Sequence, residues 1–363
     1  MHARYGDHCH AKLSKYGRED DVKRCRANRR SAWGRRSLFA PLAFVLACGG
    51  QPATPAAPDD GSQGGPGATG CARTSTGLLP LMDMGSATYQ GTSGGLYPTG
   101  GNMAPAGHLA AGVALAHGIG PLDAVGQPSA AGRYAWISIG MSNTTQEFST
   151  FVPMANADPL RDSRLAIVDG AQGGQTGTAW SNPGCACWST LDARLTNAGI
   201  SARQVAVAWI KVADAQPSEG WPSHARRLAD ETIAILRLLK SRFPNLRVAY
   251  LSSRIYAGYA TTLLNPEPYA YESGFSMRWV IEAQLAGGLP YEGAGAVAPW
   301  VAWGPYLWAD GLTPRHDGLT WACSDLANDG THPSAAGRQK VASRLMDFVR
   351  MDPTAREWYL GNP

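Results

Sequence analysis

The stretch QVAVAWIKV, residues 204–212, is apolar at nearly every consecutive position, as a strand covered on both faces has to be. Similar runs recur at YAWISIG (134–140), LAIVDG (165–170), LRVAYLS (246–252) and, less clearly, PWVAWG (299–304). Between them lie helical spacings. In WPSHARRLADETIAILRLLKSRF (221–243), Leu228, Ile235 and Leu239 share a face with Thr232 and Leu236. Near the end of the chain, Val341, Leu345 and Phe348 recur in the same way, widened by Ala342, Met346 and Val349, and Ser334 stands as the N-cap. Strands alternating with helices predict an α/β fold: a three-layer α/β/α sandwich around a mostly parallel sheet of about five strands. Reactive groups are then expected at the carboxyl ends of the strands.

The 363 residues, 44% of them apolar, are enough for a large core. The net charge of +4 is unevenly spread: residues 1–47 carry a net +7, which leaves −3 for residues 48–363 and no basic surface for nucleic acid. The basic segment precedes SLFAPLAFVLA (37–47), an apolar run too short to span a bilayer, and together they predict an export signal. Val45-Leu46-Ala47-Cys48, followed by two glycines, resembles the lipobox of bacterial lipoproteins, which implies acylation of Cys48 and a membrane-tethered envelope location; the alternative is an ordinary signal peptide and a periplasmic or extracellular protein. Residues 48–77, rich in Pro, Ala, Gly and Ser, are expected to be a disordered tether, and residues 78–363 one domain. Outside the cytoplasm Cys71, Cys185, Cys187 and Cys323 are disulfide candidates with three possible full pairings. Cys185 and Cys187 lack the spacing and the nearby His of a metal site, so no metal and no cofactor is expected.

The candidate chemistry lies past the strands. SIGMSNTTQEF places Ser142 just after the first strand, although Gly-x-Ser is also common in turns. DGAQGGQTG, after the second strand, offers Gly170, Gly173 and Gly174, whose backbone N–H groups suit a developing oxyanion; a phosphate loop fits worse because no Lys follows. In NDGTHPSAAGRQK (328–340), Asp329 is close enough to His332 to orient its ring. The bland reading is a solvated turn before a helix, and the chain repeats the spacing at Asp7 and His10, inside the expected signal.

Together, Gly140-x-Ser142-Asn143-Thr144, the Gly173 loop and Asp329-Gly330-Thr331-His332-Pro333-Ser334 resemble the SGNH (GDSL-like) hydrolase family over about residues 134–350. The resemblance implies a flavodoxin-like α/β/α fold, a serine esterase with Ser142 as nucleophile, His332 as base and then acid, Asp329 orienting it, and the amides of Ser142 and Gly173 as oxyanion donors. One departure is visible. Where that family has an oxyanion Asn after its third strand, this chain reads IKVADAQP, with Asp214 nearest. An ionised Asp opposes an oxyanion and has to be protonated or turned away, with Lys211 or Asn143 as substitute donors.

Trp279, Trp300, Trp303, Trp308 and Trp321, with Tyr256, Tyr259, Tyr269, Tyr271 and Tyr306, are expected mostly in the core, with some lining a cleft or lid. His108, His117, His224 and His316 are expected to be structural or solvated. The reading is an exported esterase acting on a small-molecule or polysaccharide ester, with a carbohydrate deacetylase as one form of it. The rival is a surface-anchored binding protein on the same fold without turnover.

Overall fold

The structure, a computed structural model, describes residues 69–361; the expected export signal, Cys48 and most of the expected tether lie outside them. A short antiparallel hairpin of β1 (Thr88–Tyr89) and β2 (Thr92–Ser93) precedes the main sheet. That sheet contains β3 (Tyr134–Gly140), β4 (Leu165–Val168), β5 (Val205–Lys211), β6 (Val248–Leu251) and β7 (Trp300–Trp303), in the order β4-β3-β5-β6-β7 with every pair parallel. The helices are α1 (Ala106–His117), α2 (Ser142–Asn156), α3 (Gly177–Trp180), α4 (Ala186–Asn197), α5 (Ser223–Arg242), α6 (Tyr269–Leu285), α7 (Ala335–Met351) and α8 (Arg356–Leu360). The expected α/β/α sandwich is present, and all five apolar runs are its strands.

β3 and β5 are buried at all seven positions each, which is why their runs carry no polar alternation. Trp136 on β3 meets Phe148, Phe151 and Trp358 edge-on, and Trp209 on β5 stacks on Phe148 at 5.6 Å while its indole N–H reaches Ser252 Oγ at 2.9 Å. α5 buries the face formed by Leu228, Thr232, Ile235, Leu236 and Leu239, and α7 buries Val341, Ala342, Leu345, Met346 and Val349. Ser334 caps α7 by accepting from the Gly337 amide.

The chain leaves β3 toward β4 on one side and returns past it to β5 on the other. A crevice opens at such a reversal, beyond the carboxyl end of the middle strand. Ser142, the first residue of α2, stands there.

Two expectations change. The ordered body begins before residue 78: Cys71 is bonded to Cys323, Leu312 N–H donates to Thr74 O at 2.8 Å, and Asp310 accepts from Ser75 Oγ, Thr76 N and Oγ1, and Gly77 N. Polar contacts hold this segment, so its lack of large apolar residues says nothing about its order. Nine of the ten expected aromatic side chains are core, and the tenth, Tyr269, is half-buried and edge-on to His224. Trp279, Trp300, Trp303, Trp308, Trp321, Tyr256, Tyr259, Tyr271 and Tyr306 are all buried, and Trp279 belongs to α6, which is packed nearly all round. The second disulfide joins Cys185 to Cys187, which settles the pairing. No helix among the described residues is long and apolar enough to cross a membrane.

Candidate active site

Ser142 and His332, 190 positions apart, meet in this crevice: Ser142 Oγ lies 2.7 Å from His332 Nε2. His332 Nδ1 lies 2.5 Å from Asp329 Oδ2, and Asp329 Oδ1 accepts from the amides of Thr331 and His332, each at 3.0 Å. Burial pushes the Asp329 carboxyl up, but the His332 ring and the two amides outweigh it and hold the group down at about 2. It is therefore charged wherever the protein is folded near neutrality. The Nδ1 position facing this carboxylate carries the ring proton, which leaves Nε2 to accept from Ser142.

The turn that carries these two residues is tied down on several sides. Ala327 N–H donates to His332 O at 2.7 Å, Thr261 N–H to Asp329 O at 3.0 Å, and Asn143 Nδ2 to Thr331 O at 2.8 Å. Gly330 has a φ of +62°, and a Cβ there would collide with the Tyr259 carbonyl.

The glycine loop lies beside the serine. A Cβ built on Gly173 would sit 4.0 Å from Ser142 Cβ, so the two backbones flank one space. Ser142 begins a 15-residue helix, whose first N–H groups lack intrahelical acceptors and whose dipole favours negative charge there. Gln172 N–H donates to Gly140 O at 3.0 Å, and Gly177 N–H to Ala213 O at 3.0 Å, fixing the loop at both ends. Asp169, at the exit of β4, accepts from Ser138, Thr145 and Ser149, which locks the loop's start to β3 and α2. This role of Asp169 is invisible in sequence spacing, beyond its position at a strand end.

The expected substitute donors are not free. Lys211 Nζ is fully buried and lies 2.5 Å from both Glu147 carboxylate oxygens. Burial draws it down to about 8 against the pull of Glu147. Asn143 is buried and donates to the His332 turn. Asp214 is also engaged elsewhere: its Oδ1 accepts from Thr178 N at 3.2 Å and Oγ1 at 3.1 Å, and its Oδ2 faces His224 and Arg227 of α5 at 3.7 and 3.5 Å.

Among the other described histidines, His108 and His224 are buried, while His117 and His316 are largely exposed. His108 Nε2 bonds Val301 O at 2.8 Å, His117 pairs with Glu357, and His316 pairs with Asp83. No cluster of metal-ligating side chains occurs among the described residues. A groove of about 1070 Å³ is lined by Lys240, Arg247, Tyr291 and Val297, but these precede β6 and β7, at the amino ends of the parallel strands and so at the end of the sheet opposite to Ser142.

No family model matches the chain, and no curated protein does. Several solved structures resemble it. A protein from Bacteroides fragilis assigned as an acylhydrolase matches with a TM-score of 0.36 and 12% identity over 68% of this chain and 96% of its own. An acetylxylan esterase from Geobacillus stearothermophilus matches with a TM-score of 0.36 and 15% identity over 63% and 97%. The periplasmic domain of a lipopolysaccharide acetyltransferase from Salmonella ser. Paratyphi A matches with a TM-score of 0.34 and 13% identity over 60% and 83%. Similarities this low carry nothing about the chemistry of the chain, which rests on the geometry of its own residues.

Proposed function

We propose that the protein is a serine hydrolase that cleaves carboxylic esters by acyl transfer. The observation that carries this reading is the relay from Ser142 Oγ through the His332 ring to Asp329, at 2.7 and 2.5 Å. Ser142 Oγ attacks the ester carbonyl as His332 Nε2 takes its proton, and Asp329 stabilises the imidazolium that forms. The oxyanion rests on the amides of Ser142 and Gly173 at the positive end of α2. His332 then protonates the leaving alcohol, and the alkoxide–carbonyl bond breaks. Water, deprotonated by the same ring, releases the acid and restores Ser142.

Lys211, Asn143 and Asp214 are all committed to other partners, so this reading gives the oxyanion two amide donors and no side-chain donor. One missing donor costs ~10²–10³ in rate, and a modest kcat is expected. A carbohydrate ester as substrate loses nearly all of its aromatic support, because nine of those ten rings are core and Tyr269 packs on His224; it stands only with the expected export signal. Export, with a lipid on Cys48, is proposed from the N-terminal sequence alone. The test is hydrolysis of short-chain aryl esters by the chain and by Ser142→Ala. Turnover that disappears in the variant supports the enzyme; equal rates in the two, or none in either, favour the binding-protein reading.

A further inference from the structure

We infer that Asp214 and Glu231 are positioning residues for the oxyanion amide of Gly173, acting by clamping α3 through Thr178. The inference rests on the esterase reading above and assigns a role to the carboxylate that stands where a donor was expected.

Gly173 and Gly174 have no side chains to pack, and Gly174 sits at a φ of +75°. The direction of the Gly173 N–H is therefore set by whatever pins the loop on either side. Upstream the pin is Gln172 N–H on Gly140 O, two residues before the nucleophile. Downstream it is the start of α3. There Gly177 N–H reaches Ala213 O, and Thr178 gives its amide and hydroxyl to Asp214 Oδ1 at 3.2 and 3.1 Å. The same hydroxyl lies 2.8 Å from Glu231 Oε1, on α5. A Cβ on Gly177 would meet Glu231 Oε2 at 2.6 Å and Asp214 Oδ1 at 3.3 Å, so both carboxyl groups press on the first turn of α3.

The second oxygens, Asp214 Oδ2 and Glu231 Oε2, are buried and have no donor. Both carboxyl groups meet at the Thr178 hydroxyl, and a proton on Glu231 turns one of its oxygens from acceptor to donor. Burial, and after it the Asp214 charge, pushes Glu231 up to about 7. The other groups facing the pair are Arg227, His224 and Glu219: Arg227 Nε is 3.5 Å from Asp214 Oδ2, His224 Nε2 is 3.7 Å from it, and Glu219 holds Arg227 at 2.7 Å. Burial lowers the His224 pKa, against Asp214, which raises it, so the imidazole is neutral at pH 7 and adds no cation. When Glu231 loses its proton, two carboxylates crowd the same Thr178 hydroxyl at the start of α3, with Arg227 as the nearest counter-charge. Their repulsion loosens the downstream pin, and the Gly173 amide drifts from the oxyanion.

The experiment measures kcat and KM for p-nitrophenyl acetate from pH 5.5 to 9 with the parent, Asp214→Ala, Asp214→Asn, Glu231→Gln, Thr178→Val and Ser142→Ala. Asp214→Ala and Thr178→Val are expected to lower kcat about 10²-fold with little change in KM. Asp214→Asn keeps an acceptor for Thr178 and is expected to recover to within about fivefold of the parent, a rescue consistent with loss of an acceptor rather than of bulk. The parent's kcat should fall as pH rises through 7, and Glu231→Gln should abolish that fall. The inference is overturned if Ser142→Ala is inactive while Asp214→Ala and Thr178→Val keep the parent's kcat. It is also overturned if Asp214→Asn is no better than Asp214→Ala, or if parent and Glu231→Gln share one pH profile. Should Asp214→Ala fail to fold, Thr178→Val and the two pH profiles decide. If Ser142→Ala matches the parent, the esterase reading itself fails, whatever the clamp does.

Discussion

Replacing Lys211 by Met tests whether this buried cation serves stability or the reaction. Both partners of the Lys211–Glu147 pair are fully buried, with Nζ 2.5 Å from each carboxylate oxygen. Removing one member of such a pair strands the other charge, at a cost of about 3–5 kcal/mol. Arg254, buried and with Nε and Nη1 lacking hydrogen bonds, supplies some compensating field for Glu147, which places the expected loss near the lower end. Unfolding a body of ~290 residues carries an entropy of about 0.6 kcal/mol/K, so about 3 kcal/mol corresponds to a fall in Tm of about 5 °C. The assay is thermal unfolding together with ester hydrolysis at 25 °C. Tm should drop by that amount while kcat stays within about threefold, because Nζ is engaged with Glu147. The double variant Glu147→Leu/Lys211→Met should recover part of the loss, since two apolar side chains replace the stranded charge. A Tm that does not move, with kcat down ~10²-fold, would refute this reasoning and return Lys211 to the oxyanion.

Asp329→Asn should lower kcat on the order of 10⁴-fold with the fold intact, read from circular dichroism and ester turnover, because an amide does not hold the His332 tautomer as a carboxylate does. The parent should also draw stability from Asp329 that is fully present above about pH 4 and lost as pH falls through about 2, since this carboxyl is depressed to about 2 when folded; the stability difference between parent and Asp329→Asn should be clearly smaller at about pH 2.5 than at about pH 5 in acid unfolding. Gly330→Ala forces a Cβ onto the Tyr259 carbonyl at a φ of +62°, and should cost both activity and at least ~1 kcal/mol in urea denaturation. Cys71→Ser/Cys323→Ser opens a bridge between residues 252 apart and, on the chain-entropy account, should destabilise by about 5 kcal/mol, whereas opening Cys185–Cys187 should cost far less.

The sheet was legible because burial on both faces writes itself as consecutive apolar residues, from Tyr134 to Gly140 and from Val205 to Lys211. The serine and histidine segments were legible because each sits just past an element whose boundary has a local signal: the exit after Gly140, and the Ser334 cap. Other features left no such trace. α6 is packed nearly all round, with Glu272 and Arg278 buried among its apolar residues, so it has no polar stripe for periodicity to find. Its neighbouring tryptophans gave composition without depth, and depth separates a core from a binding surface. The fate of Asp214 depends on Thr178 arriving from another loop, a contact between residues 36 positions apart that no spacing rule encodes. Residues 71–77 were mistaken for tether because composition measures apolar burial, while Asp310 and a sulfur bond do the holding.

The bond from Cys71 to Cys323 also decides how the body carries mechanical load. Traction applied to the chain ahead of residue 69 and resisted at its C-terminus enters at Cys71, crosses to Cys323 and runs out along residues 324–361. The β-strands and α2 lie outside that covalent route. On that covalent route the strain falls on residues 324–361, which carry the His332 turn and α7 and are held to the sheet by Tyr134 on Trp358 O and Tyr250 on Thr354 O.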